Sequence, residues 1–220
     1  MHATRRILTL DDIEDLRAYE RGRDEYRRRI IELKRHRRVA VGPIVSMVFE
    51  NRETVRSQVQ EMARAEHMVS DEQIQQELDA YNPLIPGPGE LSATLFIELT
   101  GDEALRSWLP RLVGIERSVL LRLRGAGAPV VVPAVPEAAH EESLTRPETT
   151  ASVHYLHFFF EPDEVERFES GPVTLAVDHP EYHHETELGD EVRTELLRDL
   201  VGDQPGDLPP GDLRPGDLRP

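Results

Sequence analysis

The sequence predicts an α+β fold, with amino-terminal amphipathic helices packed on a mainly antiparallel sheet and a disordered carboxy-terminal tail. Three observations carry this expectation. Helical apolar spacing dominates residues 1–82. Period-two alternation and β-branched runs dominate residues 83–201. From Gly202 the chain becomes a Gly-Asp-Leu-x-Pro repeat, whose prolines and glycines cannot continue a helix and whose lone leucines cannot make a core. Residues 1–201 are therefore expected to form one α+β domain, either seamless or as a helical lobe 1–82 packed on a sheet lobe 83–201. Residues 202–220 are the tail.

Thr9 followed by Asp12 reads as a capping box, so a helix is expected to start there. Leu16, Tyr19, Tyr26, Ile30 and Leu33 fall on a seam spaced by three and four. Arg23 interrupts the seam and Gly22 marks a kink, giving a helix or helix pair to about Arg38. Val39–Val41 and Ile44–Phe49 flank a Gly42-Pro43 turn as two short strands. Asn51 caps the next helix, with Val55, Val59, Met62 and Ala63 as its buried stripe. Ser70 and Gln73 open another, which Asn82-Pro83 ends. Residues 91–99 alternate as a half-buried strand, and a short helix capped by Thr100 and Glu103 runs to Leu112. The later strands are expected at 115–123, 130–135, 152–160 and 173–177. Helices follow at 162–170 and 190–200, and 136–150 is an exposed loop.

Composition narrows the chemistry. The 220 residues carry a net charge of -16, 38% hydrophobic residues and no cysteine. Disulfides, thiolate metal sites, iron–sulfur ligation and a cysteine nucleophile are thereby excluded. The uncharged stretches are too short for a membrane helix and the amino terminus has no hydrophobic signal region, so the expectation is a cytoplasmic protein without a membrane partner. The charge is split, with residues 1–40 at +4 and the remainder at -20. Arg27, Arg28, Lys34, Arg35, Arg37 and Arg38 form the candidate docking face, for a partner or for the acidic body of the chain itself. Overall acidity and the lack of any nucleic-acid-binding motif argue against DNA or RNA.

Two further constellations offer chemistry. Asp178, His179, His183 and Glu185 lie just beyond a predicted strand. If Pro180 starts a helical turn, His179 and His183 fall on one side of it, and such ligands suit zinc, iron or manganese. His154 and His157 lie on opposite faces of their strand. Glu98 and Glu116 sit where burial is expected, with Arg52, Arg56 and Arg64 as natural partners, either as a salt-bridge set or as an anion-binding pocket. The pairs Glu137–His140 and Glu181–His184 match a di-iron spacing, but neither lies on a long helix.

Read together, Phe49-Glu50-Asn51-Arg52-Glu53-Thr54-Val55, Gln60-Glu61-Met62, Tyr81-Asn82-Pro83-Leu84-Ile85-Pro86, Gly114-Ile115-Glu116 and Asp178-His179-Pro180 resemble an uncharacterised bacterial family of unknown function. That family is often encoded beside rubrerythrin-like and iron–sulfur proteins. The resemblance spans about residues 8–200 and makes Arg52, Glu61, Tyr81, Asn82 and His179 motif positions without assigned roles. It implies a link to peroxide or iron-redox metabolism. The resulting expectation is an accessory protein that binds a rubrerythrin-like or iron–sulfur partner. The alternative is a metal-dependent enzyme or metal-binding protein using the cluster at 178–185.

Overall fold

A single 3-10 turn, Leu10–Asp12, is capped by Thr9, so the Thr9–Asp12 box forms but closes one turn and not a helix. The first helix, α1 (Leu16–Arg35), starts later. The Asp15 carboxylate accepts hydrogen bonds from the Arg17 and Ala18 amides at 3.0 and 2.9 Å. Gly22 lies within this continuous helix and does not divide it. The computed structural model describes residues 7–125, 127–138, 145–146 and 148–202. The tail from residue 203, His140, and residues 139–144 and 147 of the expected loop lie outside the described residues.

Strands β1 (Arg38–Ala40) and β2 (Val45–Glu50) form a hairpin, followed by α2 (Arg52–Ala65) and α3 (Asp71–Tyr81). Asn51 and Ser70 cap these two helices as their spacing predicts. Next come β3 (Glu90–Ile97), α4 (Asp102–Trp108), β4 (Val119–Leu123), β5 (Val130–Pro133) and β6 (Val135–Pro136). The last part holds β7 (Thr145–Arg146), β8 (Thr149–Thr150), β9 (Val153–Phe159), α5 (Pro162–Ser170), β10 (Val173–His179), β11 (Tyr182–Glu187) and α6 (Asp190–Val201). Gly101, not Thr100, precedes α4, and residues 115–117 are a 3-10 turn before β4.

Every strand pairing is antiparallel. The larger sheet runs β1-β2-β3-β9-β6 and the smaller β11-β10-β4-β5, with β7-β8 a separate ribbon. Because β1 and β2 belong to the larger sheet, residue 82 does not divide helices from strands. Met47, Phe49, Leu91, Leu95, Leu156 and Phe158 of the larger sheet share one core with Leu121, Leu123, Leu175 and Val177 of the smaller, as inner faces of a sandwich do. The other face of the larger sheet meets the helices, where Val55, Val59, Leu78, Leu84 and Ile85 form a second core against Tyr155. Strand β3 is therefore covered on both sides and is not the half-buried strand its alternation predicts. Its apolar set faces the sandwich, and Ser92 and Thr94 face the helices.

Candidate docking site

Helix α1 uses its cations in two ways. On its inner side Tyr19 and Ile30 are buried, and Arg23 replaces an apolar seam residue by pairing with Glu61 through two bonds of 2.9 Å. The Tyr19 hydroxyl donates to the same carboxylate at 2.6 Å. Burial opposes ionisation of Glu61, but these hydrogen bonds outweigh it and hold the carboxyl below its usual range. The guanidinium groups of Arg29 and Arg56 lie 5.6 and 5.7 Å from the Tyr26 ring centroid, at cation–π range.

The end of the basic segment also turns inward. Arg37 is fully buried. It donates to Asp199 at 2.7 and 3.1 Å and to Glu195 at 3.2 and 3.0 Å, tying the end of α1 to α6. Arg37 thus leaves the docking face, because a charge this deep needs its carboxylates. Arg38 pairs with Glu98, which also accepts from Ser46. His36 reaches Glu32 at 3.2 Å and Glu191 at 3.4 Å.

A compact outer patch is left at the C-terminal half of α1. Ile31 is 62% exposed. Arg27 and Arg28 precede it by four and three residues, and Lys34 and Arg35 follow it by three and four. Residues at those offsets are the nearest neighbours on a helix surface, so four cations ring one solvent-exposed isoleucine. Arg27, Arg28 and Arg35 are exposed and Lys34 half-buried. Arg35 has a 3.5 Å contact to Glu32, with both side chains more than half exposed.

Arg52, Arg56 and Arg64, expected to meet Glu98 and Glu116, make contacts with the amino-terminal segment and α1. Arg52 bonds Asp12 at 2.6 Å, Arg56 Nε donates to the Asp12 carbonyl at 2.8 Å, and Arg64 pairs with Glu20 at 2.9 Å. These arginines fasten the amino-terminal segment and α1 to α2. Glu98 lies at the exposed sheet rim. Glu116 is buried beside His154, whose Nε2 lies 2.8 Å from the Thr150 hydroxyl and 3.1 Å from the Ala151 carbonyl. Burial pushes the His154 imidazole toward its neutral form, against the charge of Glu116.

The Tyr-Asn-Pro-Leu-Ile-Pro stretch has a structural part to play. The Asn82 side chain accepts from the Leu8 amide at 2.8 Å and donates to the Leu8 carbonyl at 2.9 Å, pinning the chain's start to the end of α3. Tyr81 stands edge-on to Tyr155 at 6.4 Å between ring centroids. Leu84 and Ile85 are buried below. Beneath them lies a polar layer that spacing did not reveal. Glu50 accepts from Thr54 and, at 2.6 Å, from Thr94, and His157 Nδ1 meets Glu90 at 2.8 Å.

The histidine segment is a hairpin and not a helical turn. Asp178 pairs with His183 and His179 with Tyr182 across β10 and β11. His179 and His183 consequently point to opposite faces, which removes the one-sided placement a shared metal needs. His179 is buried, with Nε2 3.1 Å from the Val113 carbonyl and Nδ1 accepting from the Glu181 amide at 3.2 Å. His183 contacts Asp178 at 2.8 Å on the exposed face, and Glu185 pairs with Arg122. Among the described residues no group of three histidine or carboxylate side chains is placed to hold a metal. The buried tyrosine of this hairpin, Tyr182, donates to the Val41 carbonyl at 2.6 Å and accepts from the Ile44 and Val45 amides at 3.2 Å, joining the two sheets at one edge. Among the described residues no helix is long and apolar enough to cross a membrane.

No curated protein matches the chain. A crystal structure of a novel protein of unknown function from Burkholderia pseudomallei K96243 is similar at 35% identity and a TM-score of 0.79, covering 89% of this chain and 100% of that one. The family described as protein of unknown function (DUF3501) matches residues 7–200, a span that holds every element from α1 to β11 and nearly all of α6. The chain belongs to that family.

Proposed function

We propose that the chain is an accessory protein that binds an acidic partner through the C-terminal half of α1, the partner being a rubrerythrin-like or iron–sulfur protein of a peroxide or iron-redox system. The observation that carries the docking half is Ile31, exposed at the centre of Arg27, Arg28, Lys34 and Arg35. An apolar anchor inside a charged rim is the usual anatomy of an interface. Covering Ile31, of which 62% is still exposed, contributes about 1–2 kcal/mol, and each rim pair about 0.2–1 kcal/mol. Arg37 and Arg38 are engaged with other parts of the chain, whereas Arg29 meets the Tyr26 ring, Arg28 bonds the Asp24 carbonyl of its own helix at 3.2 Å and Arg35 meets the exposed Glu32 one turn away. The redox half rests on the resemblance of the sequence motifs. It also fits a chain without cysteine, which passes no electrons through thiols or cysteine-held clusters and would act by binding.

A pull-down at low salt with the full chain tests the reading. Wild type should enrich a rubrerythrin-like or iron–sulfur protein, and Arg27→Glu with Arg28→Glu and Arg35→Glu should lose it. Recovery without such a partner, or equal recovery by the reversed variant, would refute it. Arg37 is left untouched because its removal would act on the fold.

A further inference from the structure

We infer that the partner meets this face with an acidic amphipathic helix, one apolar side chain of which seats over Ile31 while carboxylates three and four residues to either side meet the four cations. This rests on the docking reading above and adds the shape and charge pattern of what docks.

The spacing specifies it. At about 1.5 Å per residue the cation pairs lie about 4.5–6 Å before and after Ile31 along the helix axis. They stand two abreast, because each pair occupies consecutive positions, Arg27-Arg28 and Lys34-Arg35. A partner helix with Leu at its centre and Glu at the same four offsets reproduces this pattern with opposite sign. A strand offers one same-face residue about 6.6 Å to each side and cannot present two abreast. Helix α1 provides the track, since its 20 residues run about 30 Å without a break. Glu32 is the one acidic residue from position 27 to 35. Its contact with Arg35 is long and exposed, so a partner carboxylate can displace it. Ile31 has no polar atom in its side chain, and an apolar group laid on it removes both from water.

The probe is a synthetic helix of about 18 residues, long enough to form isolated turns, carrying this Leu and Glu pattern. Its binding to the full-length chain is read by fluorescence anisotropy. Wild type should bind it, with affinity falling several-fold between about 50 and 200 mM salt as screening lengths shorten. Arg28→Glu with Arg35→Glu should weaken binding at least about tenfold, and Ile31→Ala about fivefold, with circular dichroism and Tm unchanged because all three side chains are exposed. A peptide with Lys in place of Glu, and one of the same composition broken by central proline, should bind at least about tenfold more weakly. Failure of the acidic helix to bind, equal binding of the broken peptide, or indifference to the charge reversal each overturns the inference. If the helix fails while a partner is still captured through α1, the pattern is wrong and docking stands. If capture ignores the α1 charges, the docking reading falls as well.

Discussion

Replacing Arg37 with methionine should cost the fold about 3–5 kcal/mol, because the guanidinium is the buried counter-charge for Asp199 and Glu195. The Arg37 and Asp199 side chains are each 1% exposed, so the carboxylate left behind has no access to water. Glu195 is less exposed to this loss, since Arg198 lies 3.2 Å from it as a second partner. For a domain of ordinary stability, about 5–15 kcal/mol, this is about a fifth or more of the total. Urea denaturation followed by circular dichroism should show the midpoint falling by about 1–2 M. The diagnostic variant is Arg37→Met with Asp199→Leu, which removes both charges and should regain much of the loss, since apolar replacement of a buried pair is often neutral or better. Arg38→Met serves as the contrast. Its pair with Glu98 has both side chains 48% exposed, so the change should stay within about 1 kcal/mol. A loss below about 1 kcal/mol for Arg37→Met, or a double variant as weak as the two single losses combined, would refute the reasoning.

Other consequences can be checked separately. Asn82→Ala removes both bonds to the Leu8 backbone and should cost about 1–3 kcal/mol, with earlier proteolysis of the amino-terminal segment; unchanged stability would sink the pinning role. Gly42→Ala should destabilise by about 1–3 kcal/mol, since φ is +78° there and a Cβ would lie 2.5 Å from both the His184 ring and the Tyr182 hydroxyl; urea midpoints equal to wild type would contradict this. The Glu61 carboxyl has a folded pKa below its unfolded value near 4.5. Its stabilisation is complete above that value and fades as pH falls through the lowered folded one, so Glu61→Gln should flatten the acid limb of the stability curve below about pH 4.5. An acid limb identical to wild type would show that Arg23 and Tyr19 do not act through this charge.

Local chemistry was legible where one short segment decides the outcome. Ser70 and Gln73 start α3 and Asn82-Pro83 stops it because caps and proline act over three or four residues. Alternation located β3 but misjudged its covering, since the polar residues Ser92 and Thr94 meet the helices instead of solvent. The hairpin at 178–187 escaped because His183, His184 and Glu185 on the exposed edge strand β11 show no alternation. The fate of Arg37 was invisible for a different reason. Its partners lie 158 and 162 residues away, and nothing in the run Arg35-His36-Arg37-Arg38 marks which cation turns inward. Of the outer patch, the four cations were legible as part of the basic run, while the exposed Ile31 among them, one position off the buried seam, was not marked.

Lys34 is the only lysine in the sequence, and it sits in the ring around Ile31. Carbodiimide cross-linking joins amines to carboxylates in contact without a spacer, so it reads this face directly in a complex of the full chain with its captured partner. The docking account predicts that peptide mapping finds Lys34 joined to an Asp or Glu of the partner, and that Lys34→Arg abolishes the link while the complex persists. A complex that forms and cross-links only elsewhere, with Lys34 equally reactive toward amine reagents in the free and bound protein, would contradict it.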